Sequence, residues 1–418
     1  MCRPHFSPAR TSAGVVNRVA ARGVVVSEPS SEARDSRSRV LREIPWGLLL
    51  ALAAAALMLG VGFWLKWRIL LEPNPVEWYR YSAGQFAYSD LPALYLQEGL
   101  ARHLVPYLQT PVQYPMIIGA AEYLASFAPG IHGYFLVGGA MLGLAGLGTL
   151  WAIYRMDRSA RLLAFAATPP LLFYGALNWD LLAIFFTLIS LLLFQRRRDG
   201  WSAFFITLGI WTKLFPALLV PWMAVQRARE RNWRSVGLIG AVTLGFSLAL
   251  NLPVYLVSPS GWSYFLRFQA LRPPDYGSIW AYLPAQLARS ADLLGFVVVA
   301  AAVLVMSLVG LRKPQPVGEF GLGALALLLL VARATSPQYN LWLMPFLALV
   351  QAPVWVIGIF VAVDAAYFWS SFQTLYIQWG GQSGSAALVE ATFGWIVLAR
   401  WLALLMILAW VWIRLLKR

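Results

Sequence analysis

Runs of apolar residues, each roughly 13 to 23 long, recur from Pro45 to Trp412, and a helix needs about 20 such residues to cross the hydrocarbon core of a bilayer. That recurrence constrains the fold more than any other feature. Only 12% of the residues are charged and 60% are hydrophobic, against roughly 25% charged in a soluble domain, so no water-soluble globule could hide the apolar surface. The expected class is all-α, a polytopic membrane protein with about 12 transmembrane helices, because helices satisfy their own backbone within each segment. Crossings are expected at 46–66, 131–153, 161–177, 180–195, 201–213, 214–226, 235–257, 291–310, 319–333, 338–350, 353–371 and 392–414.

These crossings put Arg155/Arg158/Arg161, Arg196/Arg197/Arg198, Arg227/Arg229/Arg231/Arg234, Arg312/Lys313 and Arg414/Lys417/Arg418 on one side, with the eight arginines of residues 1–45. Cytoplasmic loops are enriched in Arg and Lys, so both termini are expected in the cytoplasm of a multi-pass plasma-membrane protein. The acidic residues on that side are Glu28, Glu32, Asp35, Glu43, Asp157, Asp199, Glu230 and Glu319. With 23 basic residues beside these 8, that side carries the whole formal net charge of +15. The charge therefore follows from topology and contact with anionic lipid, and implies no nucleic-acid partner. Residues 1–45 read as a disordered basic cytoplasmic tail, and 46–418 as one transmembrane domain. The first apolar run ends in Lys66-Trp67-Arg68 without a small-residue cleavage site, so it reads as a retained span. Lys66 and Arg68 then fall just outside it, against the charge rule. One cysteine, Cys2, and three histidines, His5, His103 and His132, provide neither a disulfide framework nor zinc-ligand spacing, and no metal is expected.

The large loops, 67–130, 258–290 and 372–391, all fall on the face opposite the tail. Residues 92–103 and 115–128 read as helices lying at the interface. Gly139 and Gly143 have the spacing of a helix-packing pair. No phosphate-cradling Gly-x-x-x-x-Gly-Lys or dinucleotide fingerprint occurs, so ATP is not expected to drive the protein directly.

Three pairs of short spans meet at Asn178-Trp179-Asp180, at Lys213, and across Arg333 to Gln338. Irregular backbone at membrane depth is tolerated only where it is buried in protein or lines a wet cavity, so these tips are expected to surround an outward-opening cavity. Asp180, Lys213 and Arg333 are costly in hydrocarbon, which marks a functional site. Structural readings stand beside the functional ones. Asn178 fits a cap for a helix beginning at Asp180, whose charge suits a helix N-terminus. Ser336-Pro337 fits a cap with first-turn proline, and Lys213 fits a snorkelling side chain. Arg333, beside Gln338 and Tyr339, matches a phosphate in forked geometry. Asp364 and Arg400, both near mid-bilayer, are expected to pair. In the first outer loop, Asp90 precedes Leu91-Pro92 and fits an N-cap, a catalytic carboxylate, or both. Tyr88, Tyr95, Tyr107 and Tyr114 fit either an interface belt or a sugar-stacking surface.

The order Tyr88-Ser89-Asp90, Val112-Gln113-Tyr114-Pro115, Asn178-Trp179-Asp180-Leu181, Lys213-Leu214-Phe215-Pro216 and Ser336-Pro337-Gln338-Tyr339 resembles glycosyltransferase family 87 from about Trp46 to Trp412. These are polyprenyl-phosphate-mannose-dependent α-mannosyltransferases of the GT-C class. The resemblance implies a GT-C-like fold, a polyprenyl-phosphate-sugar donor as co-substrate with no further cofactor, and a base in the first outer loop, by motif Asp90. The Asp-x-Asp pair of some GT-C relatives is absent, since Tyr88 stands two before Asp90. One carboxylate suffices chemically, because a polyprenyl phosphate leaves without a proton and only the incoming hydroxyl needs a base. Asp90 is the expected catalytic residue. Tyr88, Gln113, Tyr114, Asn178, Asp180, Lys213, Arg333, Gln338 and Tyr339 are the expected substrate-binding residues. The implied reaction is inverting transfer, most simply of mannose, to an envelope glycolipid or polysaccharide on the extracytoplasmic face. A transporter or flippase of a lipid-linked or small polar substrate is the competing reading, since it too has a dozen spans with broken helices. Transporters usually carry two repeats of similar hydropathy, and none is evident here.

Overall fold

The structure, a computed structural model, describes residues 45–71, 75–284, 286–287 and 290–417. The tail expected over 1–45 lies, apart from Pro45, outside the described residues. Everything regular that is described is helical. Among the described residues, six helices are long and apolar enough to cross a membrane: α1 (Trp46–Trp67, continued by a turn Arg68–Leu71), α5 (Gly130–Met156), α11 (Trp233–Val257), α14 (Ala291–Arg312), α17 (Val354–Gln378) and α18 (Ala386–Leu416). The chain is an all-α membrane protein.

The other expected crossings are shorter or broken, and proline sets most of the breaks. Residues 161–177 do not form one helix. They divide into α6 (Leu163–Ala166) and α7 (Pro169–Tyr174), because Pro169-Pro170 offers no backbone N–H to a preceding turn. Residues 214–226 form a 3₁₀ turn, Phe215–Leu218, carrying Pro216, and then α10 (Leu219–Arg229). Residues 338–350 form a 3₁₀ turn, Pro337–Leu343, and then α16 (Met344–Leu349) with Pro345 in its first turn. Their partners α8 (Asp180–Gln195), α9 (Asp199–Thr212) and α15 (Val317–Val331) are continuous but short. The α8 and α9 helices pack side by side, α5 lies against α8, and α18 against both α15 and α17.

Within the first loop are α2 (Pro75–Gly84), α3 (Asp90–Gln97) and α4 (Met116–Ser126). The expected helix over 92–103 stops early, because Gly99 enters the left-handed region at φ +67 and begins a separate turn, Leu100–Arg102. Instead of lying free at an interface, α3 buries Leu91 to Tyr95 and α4 buries Ile118, Ala121, Glu122 and Ala125. The second loop carries α12 (Pro259–Trp262), α13 (Tyr264–Leu271) and a turn Ile279–Tyr282. The third narrows from the expected 372–391 to 379–385, since α17 and α18 both extend into it.

Three local expectations change. Lys66 belongs to α1 and is buried, with Nζ donating to the Phe173 carbonyl at 3.1 Å near the end of α7. Of the glycine pair, only Gly139 meets a neighbour: a Cβ there would collide with the Phe63 ring, while Gly143 faces open space. Asp364 and Arg400 do not pair directly. Asn340 stands between them, donating to Asp364 Oδ1 at 2.6 Å and accepting from Arg400 Nη2 at 3.1 Å. The amide bridges the two charges while Tyr174 donates to the same Asp364 oxygen at 2.9 Å, and Asp364 Oδ2 and Arg400 Nη1 stay buried without a hydrogen-bond partner among the described residues.

Candidate active site

Ser89 fastens the first loop to the helix tips. Its Oγ donates to the Ala176 carbonyl at 2.7 Å and accepts from Leu91 N–H, capping α3. Asp90 is therefore the first residue of the helix and not its cap, and its own N–H donates to the Leu177 carbonyl at 2.7 Å. With its backbone bound there, the Asp90 carboxylate meets the next residue of that turn, Asn178. The Asn178 amide donates to Asp90 Oδ2 and to the Tyr114 hydroxyl, the latter at 2.7 Å. Asn178 caps no helix with its side chain, whose oxygen accepts from the N–H of Trp179.

The Tyr114 ring then holds Lys213. The ammonium lies 4.5 Å from the Tyr114 ring centroid, 5.8 Å from that of Tyr339, and 3.7 Å from Asp180 Oδ2. Lys213 is only 6% exposed and, among the described residues, no hydrogen bond to its Nζ occurs. An ammonium has three donors, so this one keeps capacity for an anion. The other Asp180 oxygen accepts from the Trp342 indole N–H at 2.7 Å, and Trp342 stacks between Phe215 and Tyr339 at 4.4 and 4.2 Å. Asp90, Asn178, Tyr114, Lys213, Asp180 and Tyr339 thus form one connected group, drawn from the first loop and all three hairpin tips.

A cavity of about 640 Å³ opens beside this group. Gln113, Tyr114, Lys213, Arg333 and Tyr339 stand on its wall with aliphatic and aromatic side chains from α13, α14 and α15, among them Phe265, Val299, Val303 and Leu328. The remaining expected residues, Tyr88, Asp90, Asn178, Asp180 and Gln338, do not line it. Gln338 is buried in its turn. Arg333 is already engaged, by Asp292 Oδ2 at 2.9 Å and by the carbonyls of Gln269 and Ala270. The second loop clamps the same tip: Asp275 N–H donates to the Arg333 carbonyl, Thr335 N–H to Asp275 Oδ2, and the Trp280 indole to the Val331 carbonyl.

Sequence reasoning missed several contributors. Trp342 and Asn340 follow Gln338 and Tyr339 within one turn, and a polar residue at such a tip is the signal that marks them. Arg272 follows Phe265 and Gln269 of the cavity wall at helical spacing and pairs with Asp275 at 2.7 Å. Glu98 and Glu122 lie beneath Gln113, whose N–H donates to Glu98 at 3.2 Å. Burial, and for Glu122 also the charge and hydrogen bond of Glu98, pushes both carboxyls up, Glu98 to about 7 and Glu122 well above the carboxylate range. Burial, then the charge and hydrogen bond of Asp90, likewise push the Tyr88 phenol up.

No curated protein matches the chain. A model of glycosyltransferase family 87 matches residues 113–337, more than half of the chain, beginning after Asp90 and taking in Gln113, Tyr114, Asn178, Asp180, Lys213 and Arg333. The transporter reading gives way to that match: the chain belongs to glycosyltransferase family 87 and is a membrane glycosyltransferase.

Proposed function

We propose that the protein transfers a sugar, mannose being the expected one, from a polyprenyl-phosphate donor to an envelope glycolipid or polysaccharide on the extracytoplasmic face, with inversion and with Asp90 as base. The observation that carries the reading is the unbroken path from an apolar cavity, through Lys213, Tyr114 and Asn178, to the Asp90 carboxylate. The cavity suits an isoprenoid chain, since its walls are largely hydrocarbon and aromatic. At its polar end Lys213 meets the phosphate, and the charge developing on the leaving oxygen is stabilised by an ammonium held in a poorly hydrated site. Lys213 is the chief cation in this role, because Arg333 is occupied by Asp292.

The acceptor hydroxyl gives its proton to Asp90 as its oxygen bonds to the anomeric carbon. The bond from that carbon to the phosphate oxygen breaks, and its electron pair leaves with polyprenyl phosphate. Asn178 fixes Asp90 Oδ2 and so orients the carboxylate that takes the proton. A plasma membrane with both termini in the cytoplasm is the setting, supported by the arginine distribution. Asp90→Asn protein, purified in lipid and matched to the parent in unfolding temperature, is expected to lose roughly 10²-fold or more of its rate with labelled polyprenyl-phosphate mannose and membrane extract, the usual loss for a general base. Transfer at the parental rate would overturn the assignment.

A further inference from the structure

A transferase binds two substrates, and the cavity serves one. Neither Asp90 nor Tyr88 lines that cavity, so the carboxylate has a second side. There the first loop meets the end of α17. The Tyr88 ring lies 5.7 Å from Trp379, and Tyr79 meets the same indole edge-on at 5.4 Å. Trp78 and Phe372, both buried, support Tyr88 from beneath at 5.8 and 6.1 Å. Trp379 caps the C-terminus of α17, and Gly380 follows it at φ +83, where the chain turns away in a conformation that favours glycine. The indole is left at the tip of the helix, 36% exposed.

The edge of this surface is polar. Gln97 donates to the Tyr79 hydroxyl at 2.6 Å, and burial first, with the Asp90 charge behind it, pushes the Tyr79 and Tyr88 phenols up. Aromatic rings with hydroxyl and amide groups among them, and a carboxylate two residues along from Tyr88, match a pyranose, whose C–H face stacks on a ring while its hydroxyls hydrogen-bond around the edge. A lipid chain would have no use for these polar groups, and the hydrocarbon-walled cavity already suits one.

We propose that Tyr79, Tyr88 and Trp379 form the acceptor subsite, and that the acceptor presents a hexopyranose stacked there with its nucleophilic hydroxyl directed to Asp90. This rests on Asp90 being the base. The donor then enters from the Lys213 side and the acceptor from the Trp379 side, as in-line displacement requires.

Saturation-transfer NMR with n-octyl α-D-mannopyranoside, on the protein in lipid nanodiscs, reads the subsite without turnover. In the parent, the sugar-ring protons are expected to saturate more strongly than the octyl chain. Trp379→Ala should reduce the ring signal about tenfold, as for loss of one stacking contact, while Trp379→Phe keeps most of it. Equal unfolding temperatures for the three proteins exclude a folding defect. In transfer assays, Trp379→Ala should raise the acceptor KM by a similar factor and leave the donor KM unchanged. Equal ring saturation in Trp379→Ala and the parent would overturn the subsite. Ring saturation that depends on Trp379, in a protein that transfers nothing from polyprenyl-phosphate mannose, would overturn the donor reading and leave the subsite standing.

Discussion

Asp90 and Asn178 are 88 residues apart in the chain and in hydrogen-bond contact in the fold, and their meeting depends on one backbone bond, from Asp90 N–H to the Leu177 carbonyl, and on the Ser89 hydroxyl. Each residue looked ambiguous by itself, cap or chemistry, because caps and catalysts use the same short polar side chains. Asp90 proves to be the first residue of α3 with Ser89 as its cap, which leaves the carboxylate free of the backbone N–H groups ahead of it. The buried carboxyls behind Gln113 carry a prediction at this same scale. Glu98 titrates near 4.5 in the unfolded chain and at about 7 when folded. A carboxyl raised in this way contributes stability in full below the lower value and loses it as pH rises to the higher one, with a slope of at most about 1.4 kcal/mol per pH unit per proton. Glu122, raised further, loses its share at still higher pH. The midpoint of thermal unfolding in detergent should therefore fall from about pH 5 to about pH 8, and Glu98→Gln should flatten that fall. A midpoint that rises with pH over that interval would contradict the shared burial of the two groups.

At the scale of elements, the proline-marked breaks beside the three tips, one before its tip and two after, explain how polar side chains come to one place. A continuous helix would carry Asp180, Lys213 and Tyr339 along separate axes, whereas a turn at Pro337 lets Tyr339, Asn340 and Trp342 face three directions within one short segment. Tyr339 packs beside Lys213, Asn340 joins Asp364 to Arg400, and Trp342 binds Asp180. These breaks were legible as short spans and as prolines. The role of Asn340 was not, because an asparagine in an apolar stretch names no partner until the helices around it are packed. Asn340→Leu leaves Asp364 and Arg400 buried without their shared amide, a loss on the order of 3 kcal/mol. The expected result is a clearly lowered unfolding midpoint, together with a reduced rate because Tyr339 and Trp342 lose their anchor. Asn340→Leu protein as stable as the parent would show that Asp364 and Arg400 find each other unaided.

For the whole molecule, the helices divide the polar residues between two ends. Arg197, Arg227 and Arg414 bind carboxylates or helix-end carbonyls at one, as in the Arg227–Asp199 pair at 2.7 Å and the bond from Arg414 to the Val350 carbonyl at 2.8 Å. Asp90, Asp180, Lys213 and the clamped second loop gather at the other. The chain has one native cysteine, so sidedness is directly testable. In a Cys2→Ser background, Gly384→Cys should react with an impermeant maleimide on intact cells, and Arg198→Cys only after permeabilisation. Labelling of both on intact cells would contradict the orientation. Without any tertiary structure, the residue order determines a helical membrane protein, the asymmetry of its basic residues and the segments that carry the site, because hydrocarbon penalises charge and unsatisfied backbone locally, residue by residue. Packing alone decides the partners: that Asn178 serves both Asp90 and Tyr114, that Arg333 is spent on Asp292, that Asn340 divides Asp364 from Arg400, and that Trp379 stands beside Tyr88. A hydrogen bond or a ring contact forms between surfaces brought together by helices distant in sequence, and no local pattern encodes which surfaces those are.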